Sequence, residues 1–256
     1  MSTRLDYARQ ALTYDRTRSA SPSVLGPLLK ALAPAPGPRL VDLGGGTGNY
    51  AATLAQSGFE PLVVDRSEAM LEGAAAKGLE TLRADLTELP LADAGFDVAL
   101  LNSMIHLVPA WRRGIAEARR VVRPGGLVVL RAYTRENLES QWILDYFPGT
   151  RGWILPEHQR AEELLVELPG GSAAPYWYED IADATLAALQ RRPSMLLDSE
   201  VRSQTSYFER LGERDPKCLE AGIAQLRTDL ESGSLEARAA AREPAGDGTI
   251  VAWKKP

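Results

Sequence analysis

The sequence predicts an α/β domain built around a mostly parallel sheet, and three features predict it. Short apolar runs alternate with helical patterns from Arg39 onward, a glycine-rich turn follows the first run directly, and an apolar GTIVAW segment lies near the C-terminus. Alternation of this kind builds βαβ units, whose parallel strands are covered by helices.

The elements follow in order. The first 38 residues have helical character and end in a breaker of Pro34, Pro36, Gly37 and Pro38, where a fixed proline φ and a missing N–H stop a helix. RLVDL then opens the sheet and YAATLAQSG is the first crossover helix. PLVVD, the helix SEAMLEGAAAKG and LETLRA continue the alternation. FDVALL (96–101) and GLVVLRA (126–132) are further strands, separated by a helix over Trp111 to Val122 that stops at Pro124-Gly125-Gly126. At least five strands are therefore expected before residue 135.

Beyond it the texture changes to proline-punctuated, aromatic-rich pieces: WILDYFPGTRGWILP, ELLVELPGG and APYWYEDIADATLAALQ. This predicts a cap rather than a second sheet half, with helices near 177–190 and 216–231, and GTIVAW (248–253) closing the main sheet. The expected division is a helical lid over 1–36, a core over 39–134, a cap with sheet completion over 135–247, and a last strand over 248–254. No internal repeat interrupts it.

Composition restricts the function. The 256 residues carry 29 Lys plus Arg against 34 Asp plus Glu, a net charge of −5, with 45% apolar residues. That is a globular balance, not a disordered, collagen-like or disulfide-framed one. The single Cys218 and two histidines, His106 and His158, offer no metal constellation, so no metal is expected. The acidic balance argues against nucleic acid as a partner. Arg112-Arg113 and Arg119-Arg120 fall in helical patterns as solvated faces. No apolar run approaches a membrane span and no leader pattern opens the chain, so a cytoplasmic location without a membrane partner is expected.

Within LVDLGGGTGNY, Gly44, Gly46 and Gly48 stand at every second position between a strand and a helix. Glycine permits positive φ and close backbone approach, and a helix N-terminus favours polar ligand groups. Asp65 follows Gly44 by 21 positions, where its carboxylate can accept protons from both hydroxyls of a ribose or cap the next helix. The dinucleotide fingerprint GxGxxG would need glycine where this chain has Asn49, so a nicotinamide-dependent oxidoreductase fits incompletely.

These residues resemble the class I S-adenosylmethionine-dependent methyltransferase superfamily, and more narrowly its type 11, UbiE-like small-molecule branch. Four signals occur in order: DxGxGxG from Asp42 to Gly48, acidic Asp65 ending the second strand, RADLTELPL after the third, and FDVALLNSMIHLVP followed by EARRVVRPGGLVVL. The resemblance implies a Rossmann-like seven-stranded sheet with S-adenosyl-L-methionine as cofactor and a small molecule as substrate. It implies that Gly44 and Gly46 approach the methionine part, Asp65 holds the ribose, and Arg66 and Met70 flank the adenine. Asp85 and the Leu86 backbone would meet the exocyclic amine, and Asn102 would line the floor beneath the sulfonium. The N-terminal YARQALTYDRTR resembles the family's lid helix, with Tyr7 and Tyr14 two turns apart on one face and Arg18 able to reach the cofactor carboxylate.

Transfer from a sulfonium requires alignment, water exclusion and, for a weakly acidic nucleophile, proton removal. His106, just past the fourth strand, is the candidate base; a loop-holding role is the alternative, and His158 is a second candidate. Tyr133, Trp142, Tyr146, Phe147 and Trp153 would form an aromatic enclosure for a flat or apolar acceptor. A cofactor-binding protein that cyclises or alkylates intramolecularly without methyl transfer would carry the same cofactor motifs. NPPY, expected for exocyclic amines of nucleic acid, is absent; LNSMIH stands there.

Overall fold

In the computed structural model, the described residues are 15, 18–203, 205–240 and 245–256. Tyr7 and Tyr14 of the expected lid lie outside them. Helix α1 (Pro22–Leu32) precedes β1 (Arg39–Leu43), α2 (Asn49–Gln56), β2 (Glu60–Asp65), α3 (Glu68–Ala75), β3 (Glu80–Arg83) and β4 (Phe96–Asn102). Then come α4 (Trp111–Val121) and β5 (Val122–Ala132), and after the cap β6 (Ser172–Tyr176) and β7 (Gly248–Lys254).

The seven strands lie in the order β3-β2-β1-β4-β5-β7-β6. All pairs from β3 to β5 are parallel, and β7 runs antiparallel to both β5 and β6. The strand order reverses between β1 and β4, the place where open α/β sheets leave a crevice at their carboxyl ends. Because both faces are covered, the central strands read as continuous apolar runs, and alternate residues enter different cores. Val98 and Leu100 pack with Val24, Leu28 and Leu32 of α1, while Ala99 and Leu101 pack with Ile115, Ala118 and Val121 of α4. Adding one residue to β4 would exchange these faces.

Three elements depart from expectation. β5 begins at Val122, four residues early, because the chain does not turn at Pro124-Gly125-Gly126 but bulges, shifting register between Phe96 and Val98. Gly126 lies so close to the Asp97 carbonyl that a Cβ would stand 2.6 Å from it. The segment 177–190 is helical only at Leu186–Leu189. Its first part is held instead by long-range bonds: Tyr178 N–H donates to Asp247 at 2.8 Å, and Asp180 accepts from Ser21 and Ser23 at 2.9 and 2.7 Å. Last, residues 172–176 form edge strand β6 on β7; Pro175 is tolerated at such an edge.

The rest of 135–247 is a cap with its own core. The helix Pro216–Ser232 falls where expected, and Tyr146, Phe147, Tyr207, Phe208, Leu211 and Leu226 pack together. Asn137 fixes the cap to the sheet, its carbonyl accepting from Thr249 on β7 at 2.9 Å and its amide donating to Ala245 at 2.8 Å. Among the described residues no helix is long and apolar enough to cross a membrane.

Candidate cofactor and active site

A cavity of about 280 Å³ opens at the carboxyl ends of β1, β2 and β4. It is lined by Gly44, Gly46, Asp65, Arg66, Met70, Asp85, Leu86 and Asn102, so eight of the positions expected around a cofactor meet there. They come from five separate segments, which only the parallel crossovers bring to one edge.

The glycine loop is shaped by backbone geometry. Gly44 and Gly46 have φ of +71° and +56°, in the left-handed region that side chains disfavour. A Cβ at Gly44 would lie 2.7 Å from the Met104 methyl, whereas Gly46 has only the Met70 sulfur near it, at 3.8 Å. The Gly44 N–H donates to Val64 O at 2.7 Å, and the Gly46 N–H donates to the Asp65 carboxylate at 3.1 Å. The other Asp65 oxygen accepts from Ser67 N–H at 2.8 Å. Asp65 thus braces both the loop and the start of α3 while lining the cavity, and Ser67 is the side-chain cap of α3.

Asp42 sits beneath the loop, 1% exposed, with Oδ1 lacking any hydrogen-bond partner among the described residues. Burial, with a smaller contribution from the Asp65 charge, pushes its carboxyl up from 3.8 to about 7. Asp85 is exposed; the backbone and side chain of Thr87 donate to it at 2.8 and 2.7 Å and hold its carboxyl below the usual range.

A second support lies outside the cavity. Asp15 accepts from Thr47 at 2.6 Å, Asn49 at 2.9 Å and Lys77 at 2.5 Å, and Lys77 also donates to the Thr47 carbonyl at 2.8 Å. Burial opposes ionisation of Asp15, but these donors outweigh it and lower its pKa. Nothing in the spacing of Asp15 and Lys77, 62 positions apart, signals this clamp.

Several expected residues stand elsewhere. Arg18 pairs with Asp183 at 3.2 Å, so its guanidinium is committed to the cap rather than to a cofactor carboxylate. His106 does not line the cavity; its ring stacks on His158, with centroids 4.4 Å apart and planes 13° from parallel. Burial, then His158 and Arg210, hold its pKa well below 6.5, and burial lowers that of His158, whose Nδ1 lies 2.9 Å from Ile154 O. The pair joins the β4 loop to the cap, which is the loop-holding alternative. The aromatic enclosure is also displaced. Tyr146 donates to buried Asp229 at 2.7 Å, Trp142 meets Tyr146 edge-on, and Trp153 stacks on Tyr207 beneath Arg210. These rings, with Phe147, pack into the cap's own core beside Ile143, Leu144, Leu189, Leu196 and Leu226. Tyr133 joins a buried polar cluster instead.

That cluster centres on Arg131, 1% exposed at the end of β5. Its guanidinium donates to Tyr176 at 2.8 Å, Tyr133 at 3.0 Å, Asp183 at 2.9 Å, Asn102 at 3.1 Å and Tyr178. Burial tends to raise the Asp183 pKa, yet Arg131 and Arg18 outweigh it and the net direction is down. An arginine inside the apolar run GLVVLRA was the available sign of this cluster, since a buried cation must be paired. The cavity walls supplied by Met104, Leu107, Val108 and Pro109 were likewise not assigned from sequence; their sign was the apolar loop SMIHLVP directly after β4.

Residues 41–130 match the family model of a methyltransferase domain. A demethylmenaquinone methyltransferase of Clavibacter sepedonicus is 39% identical over 106 residues, covering 40% of this chain and 43% of that protein. The ubiquinone/menaquinone biosynthesis C-methyltransferase UbiE of Cereibacter sphaeroides is 35% identical over 151 residues, covering 53% of this chain and 60% of that protein. The matched stretch thus spans about half the length of these curated relatives. In fold, the chain is similar to a solved structure from Anabaena variabilis described as a methyltransferase from an antibiotic biosynthesis pathway, at TM-score 0.79 and 23% identity, covering 93% and 99% of the two chains. The stretch that carries the glycine loop is thus similar to methyltransferase domains, whose cofactor is S-adenosylmethionine. The residues present suit the cofactor: an open glycine backbone, an acidic residue at the end of β2, the polarisable Met70, and a buried Asp42 oxygen in want of a donor.

Proposed function

We propose that this chain transfers a methyl group from S-adenosylmethionine to a small-molecule acceptor bearing an O, N or C nucleophile and releases S-adenosylhomocysteine. The observation that carries this reading is the cavity at the switch of strand order, which gathers the open Gly44-Gly46 backbone, Asp65, Met70, Asp85 and Asn102. Asp65 would hold the ribose, Arg66 and Met70 would flank the adenine, and Asp85 with the Leu86 backbone would meet its exocyclic amine.

When bound, the cofactor supplies a methyl group on sulfur that is already electrophilic. What remains for the chain is to align the acceptor and exclude water, which the apolar β4 loop of Met104, Leu107 and Val108 favours. His106 is neutral near pH 7 and turned against His158, so its part in this reading is to hold that loop under the cap. The relatives named for demethylmenaquinone make apolar quinone-type rings the first acceptors to try.

Titration calorimetry of ligand-stripped protein with S-adenosylmethionine, S-adenosylhomocysteine and NADH in parallel tests the cofactor, and methyl-labelled S-adenosylmethionine then screens acceptors. Binding of the first two without NADH supports the reading. Binding of NADH alone overturns it.

A further inference from the structure

Asn102 ends β4 and lines the cavity, and its orientation is set from behind. An arginine has donors only, so the Asn102 atom 3.1 Å from the Arg131 guanidinium must be its carbonyl oxygen. Arg131 cannot turn away, because Tyr176, Tyr178, Tyr133 and Asp183 hold its other N–H groups. The backbone adds a second tie, since Ser103 N–H donates to Arg131 O at 2.7 Å. The group that Asn102 retains for the cavity is therefore its NH2. A donor whose own carbonyl is bound to a buried cation is polarised and strengthened. Behind it, Arg131 and Arg18 share the Asp183 carboxylate.

We propose that Asn102, held by Arg131 as a positioning residue, is a fixed donor that selects an acceptor presenting an anionic or carbonyl oxygen beside the reacting atom. The class is an apolar body, matched to Met104, Leu107 and Val108, that bears a phenolate-type oxygen; an amine nucleophile of the same shape would meet a donor where it needs an acceptor. This rests on the methyltransferase reading above and narrows its acceptor.

The probes are 4-nitrophenol and 4-nitroaniline, titrated into protein saturated with S-adenosylhomocysteine, at a pH where the phenol is ionised. The wild type should bind nitrophenolate about tenfold or more tightly than nitroaniline, a ratio expected of one charge-assisted bond. Asn102→Ala should abolish that ratio. Asn102→Asp, which still accepts from Arg131 but presents a second acceptor oxygen, should reverse it, an inversion that loss of structure would not produce. Equal binding of the two probes, or no binding of either to the loaded protein, overturns the proposal while leaving the cofactor reading intact. If Asn102→Ala weakens S-adenosylhomocysteine and leaves nitrophenolate affinity unchanged, the donor serves the cofactor carboxylate and the proposal is overturned. Failure to bind S-adenosylhomocysteine at all removes the methyltransferase reading and this inference with it.

Discussion

Asp42→Asn should alter how stability depends on pH more than it alters stability at acid pH. Asp42 is buried beneath the glycine loop, its Oδ1 accepts no hydrogen bond among the described residues, and its carboxyl is pushed from 3.8 to about 7. In the unfolded chain the group ionises near pH 4, whereas in the fold it keeps its proton until about 7. Between those values the folded state binds more protons than the unfolded one, so stability falls as pH rises through this window and levels off above it. A difference of roughly three pKa units corresponds to about 4 kcal/mol as a ceiling, at about 1.4 kcal/mol each. Relaxation of the loop and entry of water bring the expected loss to about 2–4 kcal/mol. Asparagine has nearly the same shape and no charge to lose, so its variant lacks this slope whatever its absolute stability. Urea unfolding of both proteins at half-unit steps from pH 4.5 to 8.5 measures the difference. Parallel stability curves across that range would refute the reasoning and show that Asp42 finds a donor in the folded chain.

Other perturbations separate the roles assigned above. Asp65→Ala removes the brace on Gly46 and Ser67 together with the ribose acceptor, so S-adenosylhomocysteine affinity should fall by about a hundredfold in calorimetry; unchanged affinity would take Asp65 out of the site. His106→Ala should lower the unfolding free energy by about 2–3 kcal/mol through the space left against His158, with little change in cofactor affinity. A large loss of turnover with intact stability would restore His106 as the base. Tyr176→Phe deletes the acceptor for the Arg131 Nε–H and should cost about 1–3 kcal/mol in urea unfolding; a neutral result would mean that water takes its place.

Much of the fold was legible because local rules and global structure agree. RLVDL, PLVVD and FDVALL are strands because each is a short apolar run bounded by breakers, and burial on both faces rewards that pattern. The cofactor edge was legible for a similar reason. A positive-φ turn demands glycine at 44 and 46, and a carboxylate ending β2 stands at a fixed distance along one βαβ unit.

What failed were inferences about segments whose partners lie far away in sequence. Residues 177–185 have a helical pattern, yet Tyr178, Asp180 and Asp183 are drawn to Asp247, Ser21, Ser23 and Arg131, and those bonds outweigh helix propensity. The aromatic residues of 142–153 and the ring of His106 were assigned to a site from residue type and from their place just after strands five and four. Residue type does not tell a core from a pocket, and here the cap's need for a core claimed the first and His158 the second. The sequence by itself determined the core strands β1 to β4 and the glycine loop, since each is written in short patterns along successive crossover units, and the resemblance they carry implied the class of cofactor. Only the tertiary structure decided that a buried Arg131 stands behind Asn102 and fixes which of its atoms the cavity receives, because a buried cation must find its partners wherever the fold brings them.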